Sequence, residues 1–153
     1  MDANLFQTTR CLCLAARRAS RKITREFDQA LREHGLRATQ FTLLSALTLA
    51  GPTTIGALAD LLAADRTTIT RNLALVEKRD LVAIHADPAD ARSRIASITP
   101  QGHALLLETL PVWRKVQTEL TEAMGESTAD GLRRLAGGPC VMPLPDTSPA
   151  AST

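Results

Sequence analysis

The chain has 153 residues, 44% of them hydrophobic, with 18 Lys and Arg against 16 Asp and Glu for a formal net charge of +2. That length suits one domain on the rough prior of ~100–200 residues, and the apolar mass is enough for a core. The small net charge excludes binding of nucleic acid by bulk charge alone. Three Phe, one Trp and no Tyr argue against the aromatic platforms on which single-stranded bases stack.

Asp2 and Asn4 open the chain, and Arg10, Arg17 and Arg18 interrupt its first apolar stretch, so no signal peptide is expected. No apolar run approaches the ~20 residues of a membrane span. Cys11, Cys13 and Cys140 make no disulfide framework. A cytoplasmic protein with reduced thiols and no membrane partner is expected.

Residues 5–35 read as one long helix. Leu5, Leu12, Ala16, Ala19, Ile23, Phe27 and Leu31 keep an apolar seam, and Arg10, Arg17, Arg18, Arg21, Lys22 and Arg25 fill the other face. Gly35 stands at the C′ position. The basic face is read as solvated, with an anionic ligand as the minor alternative. Residues 38–49 form a second helix with Phe41, Leu43, Leu44 and Leu47 as its apolar members, broken by Gly51-Pro52.

Thr54 is the expected N-cap of a short helix with Ile55, Leu58, Ala59 and Leu62 on one stripe. Ala63 and Ala64 fill a tight turn, a place where a Gly is more usual. Asp65 then caps a second short helix whose apolar face is Ile69, Leu73 and Val76. Its opposite face carries Thr67, Thr70, Arg71, Ala74 and Lys78, short, polar and basic. Threonine is a mediocre helix former, so four of them in or beside one turn need another reason. Their hydroxyls can bond phosphates or base edges, and their methyls can meet the thymine methyl.

Residues 81–85 and 94–99 fit two strands around the turn-rich ADPADARS. A helix-turn-helix followed by a hairpin is a winged helix, with the second helix in the major groove and the hairpin tip in the flanking minor groove. Residues 54–99 hold six basic and six acidic residues, so affinity must come from placement. Arg66, Arg71, Lys78, Arg92 and Arg94 are expected to face the duplex.

Thr99-Pro100 starts a helix that runs to Met124, with Leu106, Leu110, Trp113, Leu120 and Met124 on one stripe. Pro111 inside it predicts a kink. Gly125 ends it, and Ser127 to Asp130 predicts a capping box for a last short helix to about Ala136. Residues 137–153, rich in Pro, Ser and Thr, are expected to be disordered.

The fold class is therefore mainly α with a small β-hairpin wing. Residues 38–99 make the winged helix-turn-helix, and residues 1–37 and 100–136 make dimerisation helices whose apolar seams one small domain cannot bury. A symmetric dimer would set two recognition helices about one DNA turn apart, ~34–36 Å.

Three stretches resemble the MarR family of winged-helix regulators: GLRATQFTLLSAL, TIGALADLLAADRTTITRNLALVEKRDLV and DPADARSRIASITPQG. The resemblance spans residues 12–135. It implies groove contacts by Arg66, Thr67, Thr68, Thr70 and Arg71, and a wing-tip Arg92 braced by Asp90. Ala91 replaces the first arginine of the family's wing pair, leaving Arg94 to substitute. Asp80 stands where the family commonly has Gly.

Peroxide-sensing members carry a reactive cysteine eight residues before an arginine, as Cys13 stands before Arg21. Those sensors hold the thiolate with two tyrosines, whose places Arg17 and Phe27 take here. Cys13 is read as packing in the dimer seam, with thiol sensing as the alternative. Cys11 is expected inside the same helix, unable to pair with it.

No paired metal spacing links His34, His85 and His103, and there is no phosphate-binding glycine loop or nucleophile elbow. No cofactor, metal or enzymatic activity is expected. The reading is a homodimeric regulator, as a repressor, of an operator in double-stranded DNA. The resemblance implies release by a small lipophilic anion in a pocket walled by Cys13, Arg17, Phe41 and Trp113. The rival is a dimeric interaction module without DNA binding.

Overall fold

A computed structural model describes residues 10–90 and 92–137. Helix α1 (Leu12–Leu31) continues into a 3-10 turn (Arg32–His34) and is followed by α2 (Ala38–Ala50), strand β1 (Thr53–Thr54), α3 (Ile55–Leu61) and α4 (Arg66–Glu77). Then come β2 (Val82–Ala86), β3 (Arg94–Ile98), α5 (Pro100–Met124) and α6 (Glu126–Leu135). The start expected for the first helix and the expected disordered tail lie largely outside the described residues.

The core gathers around α2, whose Phe41, Leu43, Leu44, Ala46 and Leu47 are all buried. A helix that is apolar nearly all round belongs in a core. Leu58 of α3, Ile69, Leu73 and Val76 of α4, Ala96 of β3, Leu31 of α1 and Leu106 of α5 close on it. The apolar face of α4 read from the sequence is the buried one.

Helix ends follow local chemistry. Thr54 accepts from Ala57 N (3.2 Å), and Thr99 from Gly102 N (3.0 Å) with Pro100 in the first turn. The N–H groups opening α2 are met by Asp28 of α1 (Ala38 N, 2.7 Å) and by Gln40 (Arg37 N, 3.0 Å). Three helices end on a left-handed residue, with an amide reaching back five residues: Leu36 N to Leu31 O, Ala64 N to Ala59 O, and Leu81 N to Val76 O. Gly35 takes that conformation in the first (φ 67°), but Ala63 (φ 47°) and Asp80 (φ 56°) take it in the others. Neither has the conformational freedom of glycine there.

Several expectations are corrected. The wing is a three-stranded antiparallel sheet in the order β1-β3-β2, because Thr53 and Thr54 pair with Ala96 and Ile95. Helix α6 starts at Glu126 with Gly125 as N-cap and no side-chain cap, so no capping box forms at Ser127. Apart from these corrections, α5 spans Pro111 as a single helix, Pro100–Met124. Pro111 is exposed, so the carbonyl that loses its helical partner can face water. Cys11 is not within the helix: it is the N-cap of α1, with extended backbone (φ −62°, ψ 118°).

Helices α1 and α5 run antiparallel. His34 meets Glu108 at 3.1 Å, while Ile23 shares a small hollow with Leu120 and Met124. Residues 12–20 of α1 extend past the end of α5, and every one of them is exposed.

Candidate nucleic-acid interface

The N-terminus of α4 is fixed by Asp65. One carboxylate oxygen accepts from Thr68 N and the other from the Thr68 hydroxyl, both at 2.7 Å. The hydroxyl first, and the amide second, hold the Asp65 carboxyl below the usual carboxylate range. Thr68 thus belongs to the cap, and its hydroxyl proton is already used. Thr70 donates its own to Arg66 O (2.8 Å), which leaves its oxygen free only to accept. Thr67 has no such intrahelical bond among the described residues and keeps both capacities.

Thr67, Thr70, Arg71, Ala74 and Lys78 are exposed on the side of α4 opposite Ile69, Leu73 and Val76, and Arg66 and Thr68 are exposed at its N-terminal end. Lys78 caps the far end of the helix. Neither Arg66 nor Arg71 makes an ion pair among the described residues. Arg66 lies back across α3: a Cβ at Gly56 would come within 2.5 Å of its Nη2. Gly56 therefore gives Arg66 its room, a close approach that a glycine inside a helix permits.

Two features went unassigned in the sequence. Leu75 is 46% exposed on the flank of α4. Asn72, half-buried, donates to Thr68 O (3.0 Å) and accepts from the Thr39 hydroxyl of α2 (3.4 Å), tying the outer helix to the core helix.

At the wing, β2 and β3 pair from Val82↔Ile98 to Ala86↔Arg94. Asp87 accepts from Ala89 N (2.8 Å), and Asp90 from Arg92 N (3.0 Å). These are Asx turns, closed by Asp87 N donating to Ser93 O (3.0 Å). Asp90 thus braces Arg92 through its backbone; its carboxylate makes no ion pair with the guanidinium. Arg92 and Arg94 are exposed and unpaired among the described residues. The acids of the tip are engaged with their own turn, and the two arginines are left facing outward.

The four residues expected to wall an effector pocket do not come together. Phe41 stacks on Trp113 (centroids 5.9 Å apart, planes 12° apart), and Phe27 stacks on Trp113 as well (6.4 Å, 25°). Trp113 thus packs on the core of its own chain. Cys13 and Arg17 sit on the exposed overhang of α1. Arg17 precedes Phe27 by ten positions, about 15 Å of helix. A larger hollow of about 720 Å³ lies between α1 and α5, lined by Lys22, Glu26, His34, Lys115 and Glu119 over Val116 and Leu120.

No group of three or more potential metal ligands occurs among the described residues, and no helix there is long and apolar enough to cross a membrane.

A model of the MarR family matches residues 34–93. Over 116 residues the chain is 30% identical to the HTH-type transcriptional repressor NicR of Pseudomonas putida, covering 76% of this chain and 73% of NicR. The DNA-bound crystal structure of the M. tuberculosis transcriptional regulator MosR superposes with a TM-score of 0.71 at 36% identity, over 83% of this chain and 96% of that one. Bordetella bronchiseptica BpsR, whose DNA binding is regulated by 6-hydroxynicotinic acid, superposes with a TM-score of 0.73 at 26% identity, over 82% and 98%. These relatives are regulators and not enzymes. An exposed helix bearing unpaired arginines, a wing with two more, and relatives of this extent agree: the chain belongs to the MarR family of DNA-binding transcriptional regulators.

Proposed function

We propose that the chain is a homodimeric repressor of a pseudo-palindromic operator, with α4 in the major groove and the wing in the flanking minor groove. The observation that carries this is the exposed polar side of α4: neither Arg71 on that side nor Arg66 at the N-terminal end of the helix has an acidic partner among the described residues. Arg71 is the base reader, with Thr67 and Thr70 beside it; the arginine fork suits a guanine edge. Thr68 holds the helix end, Arg66 and Lys78 meet backbone phosphates, and Arg92 and Arg94 reach the minor groove beyond, with Asp90 shaping the tip.

Dimerisation is supported by apolar surface on the terminal helices. Leu12 and Leu135 are 85% and 82% exposed, with Leu14 and Leu132 beside them also open. Uncovered side chains of this size on two helix ends match an unfilled interface. The residue ranges 1–37 and 100–136 are proposed as its two halves.

The effector is proposed to be a small lipophilic anion. NicR is a repressor and BpsR answers to an aromatic acid, which supports this class. A pocket joining Cys13 and Arg17 to Phe41 and Trp113 would draw the first two from the second copy, since one chain keeps them apart. A second reading, sensing of oxidants at Cys13, is favoured by one observation: Cys11 and Cys13 are both exposed and Cys11 lies outside the helix.

The experiment is selection of bound duplexes from a random pool, followed by titration with and without aromatic acids and with and without peroxide. A palindromic consensus is expected. No enrichment, with no binding to random duplex at low salt, would leave the protein as an interaction module. Release by peroxide that vanishes in Cys13→Ser would replace the small-molecule reading.

A further inference from the structure

The C-terminal end of α4 is held by contacts that none of the groove or wing residues make. Arg79 follows the helix, and its guanidinium Nη1 donates to Gly35 O while Nη2 lies 3.5 Å from His34 O. Those carbonyls end the α1 arm, where unsatisfied C=O groups concentrate negative partial charge. The main chain of the same loop is gripped from the other side by α5. Gln101 Nε2 donates to Arg79 O (3.2 Å), and the Thr99 hydroxyl to Asp80 O (2.6 Å). Gly102 allows this approach, since a Cβ there would fall 2.0 Å from Leu81 O. The two arms are themselves tied at the same place by His34 and Glu108.

We infer that Arg79 is a positioning residue for DNA binding: it sets the pose of the recognition helix against the arms and does not itself touch the duplex. The inference rests on the proposed docking of α4. Residues at the N-terminal end of such a helix meet the bases. Arg79 directly follows Lys78, so what keeps it from the duplex is not its distance along the helix but the engagement of its guanidinium with the Gly35 and His34 carbonyls of the α1 arm. An arginine is suited to this task because its fork can address two neighbouring carbonyls at once, which a lysine ammonium on a flexible stem does not hold in a fixed direction.

The test uses the full chain, the duplex selected for the wild type, and a random duplex. Arg79→Ala and Arg79→Lys are titrated over a range of salt, and thermal unfolding is followed for each. Both variants are expected to lose roughly tenfold in specific affinity, the size of one or two charge-assisted hydrogen bonds no longer holding the pose. The loss should be uniform over the base positions of the site. Random-duplex affinity and the salt slope should stay at wild-type values, with unfolding little changed. A phosphate contact gives the opposite pattern: a slope shallower by about one unit in Arg79→Ala, restored in Arg79→Lys. That result, or wild-type affinity in both variants, or a fall in specific and random binding together with the melting temperature, overturns the inference. A wild type that binds no duplex overturns the docking of α4 instead.

Discussion

Thr68 gives both its amide and its hydroxyl to Asp65, one to each carboxylate oxygen at 2.7 Å. The pair sets where the exposed threonines and arginines of α4 begin. Both bonds need the ionised carboxylate, or at least an acceptor at both oxygens. The Asp65 pKa is depressed in the folded chain, so its contribution is complete above the ordinary carboxylate value of ~3.9 and is lost as pH falls through the lower folded value. Asp65→Asn is expected to keep the bond from Thr68 N, give up the one accepted from the Thr68 hydroxyl because its NH2 only donates, and lose this acid dependence. Asp65→Ala, in contrast, should lower the melting temperature and weaken duplex binding at neutral pH. Unfolding curves of the three proteins between neutral and strongly acid pH check this; equal curves for wild type and Asp65→Ala would remove the cap from the account.

Arg71→Ala should lose about 1–3 kcal/mol of specific binding and relax preference at one base position. Titration against single-base variants of the selected duplex measures both. Uniform weakening across all positions would assign Arg71 to the phosphates.

Arg92→Ala should reduce the slope of log affinity against log salt by about one unit, because the guanidinium has no acidic partner among the described residues to redirect it. Asp90→Ala should act on the same contact indirectly, by loosening the turn that receives Arg92 N. A wild-type slope in Arg92→Ala would mean that the wing stays off the duplex.

Leu12→Asp and Leu135→Asp test assembly without disturbing the core, since both side chains are exposed in the single chain. Each is expected to shift sedimentation from dimer towards monomer, with folding retained, because burying an unpaired carboxylate in an interface is strongly unfavourable. Trp113 is not suited to this test: its stack with Phe27 and Phe41 belongs to the fold of one chain.

Ala63→Gly should raise stability by up to about 1 kcal/mol. The left-handed conformation at φ 47° disfavours a Cβ by ~1–2 kcal/mol, partly offset by the entropy glycine adds to the unfolded chain. Urea denaturation reads the difference, and a less stable variant would mean that the Ala63 methyl supplies packing worth more than the strain.

What was legible in the sequence is what local chemistry decides. Asp65, Thr54, Thr99 and Pro100 announce helix starts, and Ile69, Leu73 and Val76 tell which side of α4 is buried, because caps and periodicity act within a few residues. The pairing of Thr53 and Thr54 with β3 was not legible, since two residues carry no alternation. Nor was the grip of Arg79 on Gly35, which joins positions 44 apart, or the stack of Trp113 on Phe27 and Phe41 of its own chain. The Asp90 brace on Arg92 was expected without naming the group it bonds, and the bond runs to the backbone N–H of Arg92; nothing in the spacing alone distinguishes that from a bond to the side chain.

The engagement of Asp87 and Asp90 with their own turn bears on how the protein searches a genome. Asparagine can make the same Asx turns, so exchanging both would keep the tip and add two units of positive charge beside Arg92 and Arg94. Such a protein would linger on every stretch of duplex, because residence on random sequence is governed by charge. With the carboxylates in place, the even count of acids and bases across residues 54–99 keeps that residence brief. On the proposed docking, with Arg71 as the base reader, the wing acids would set the time lost between wrong sites.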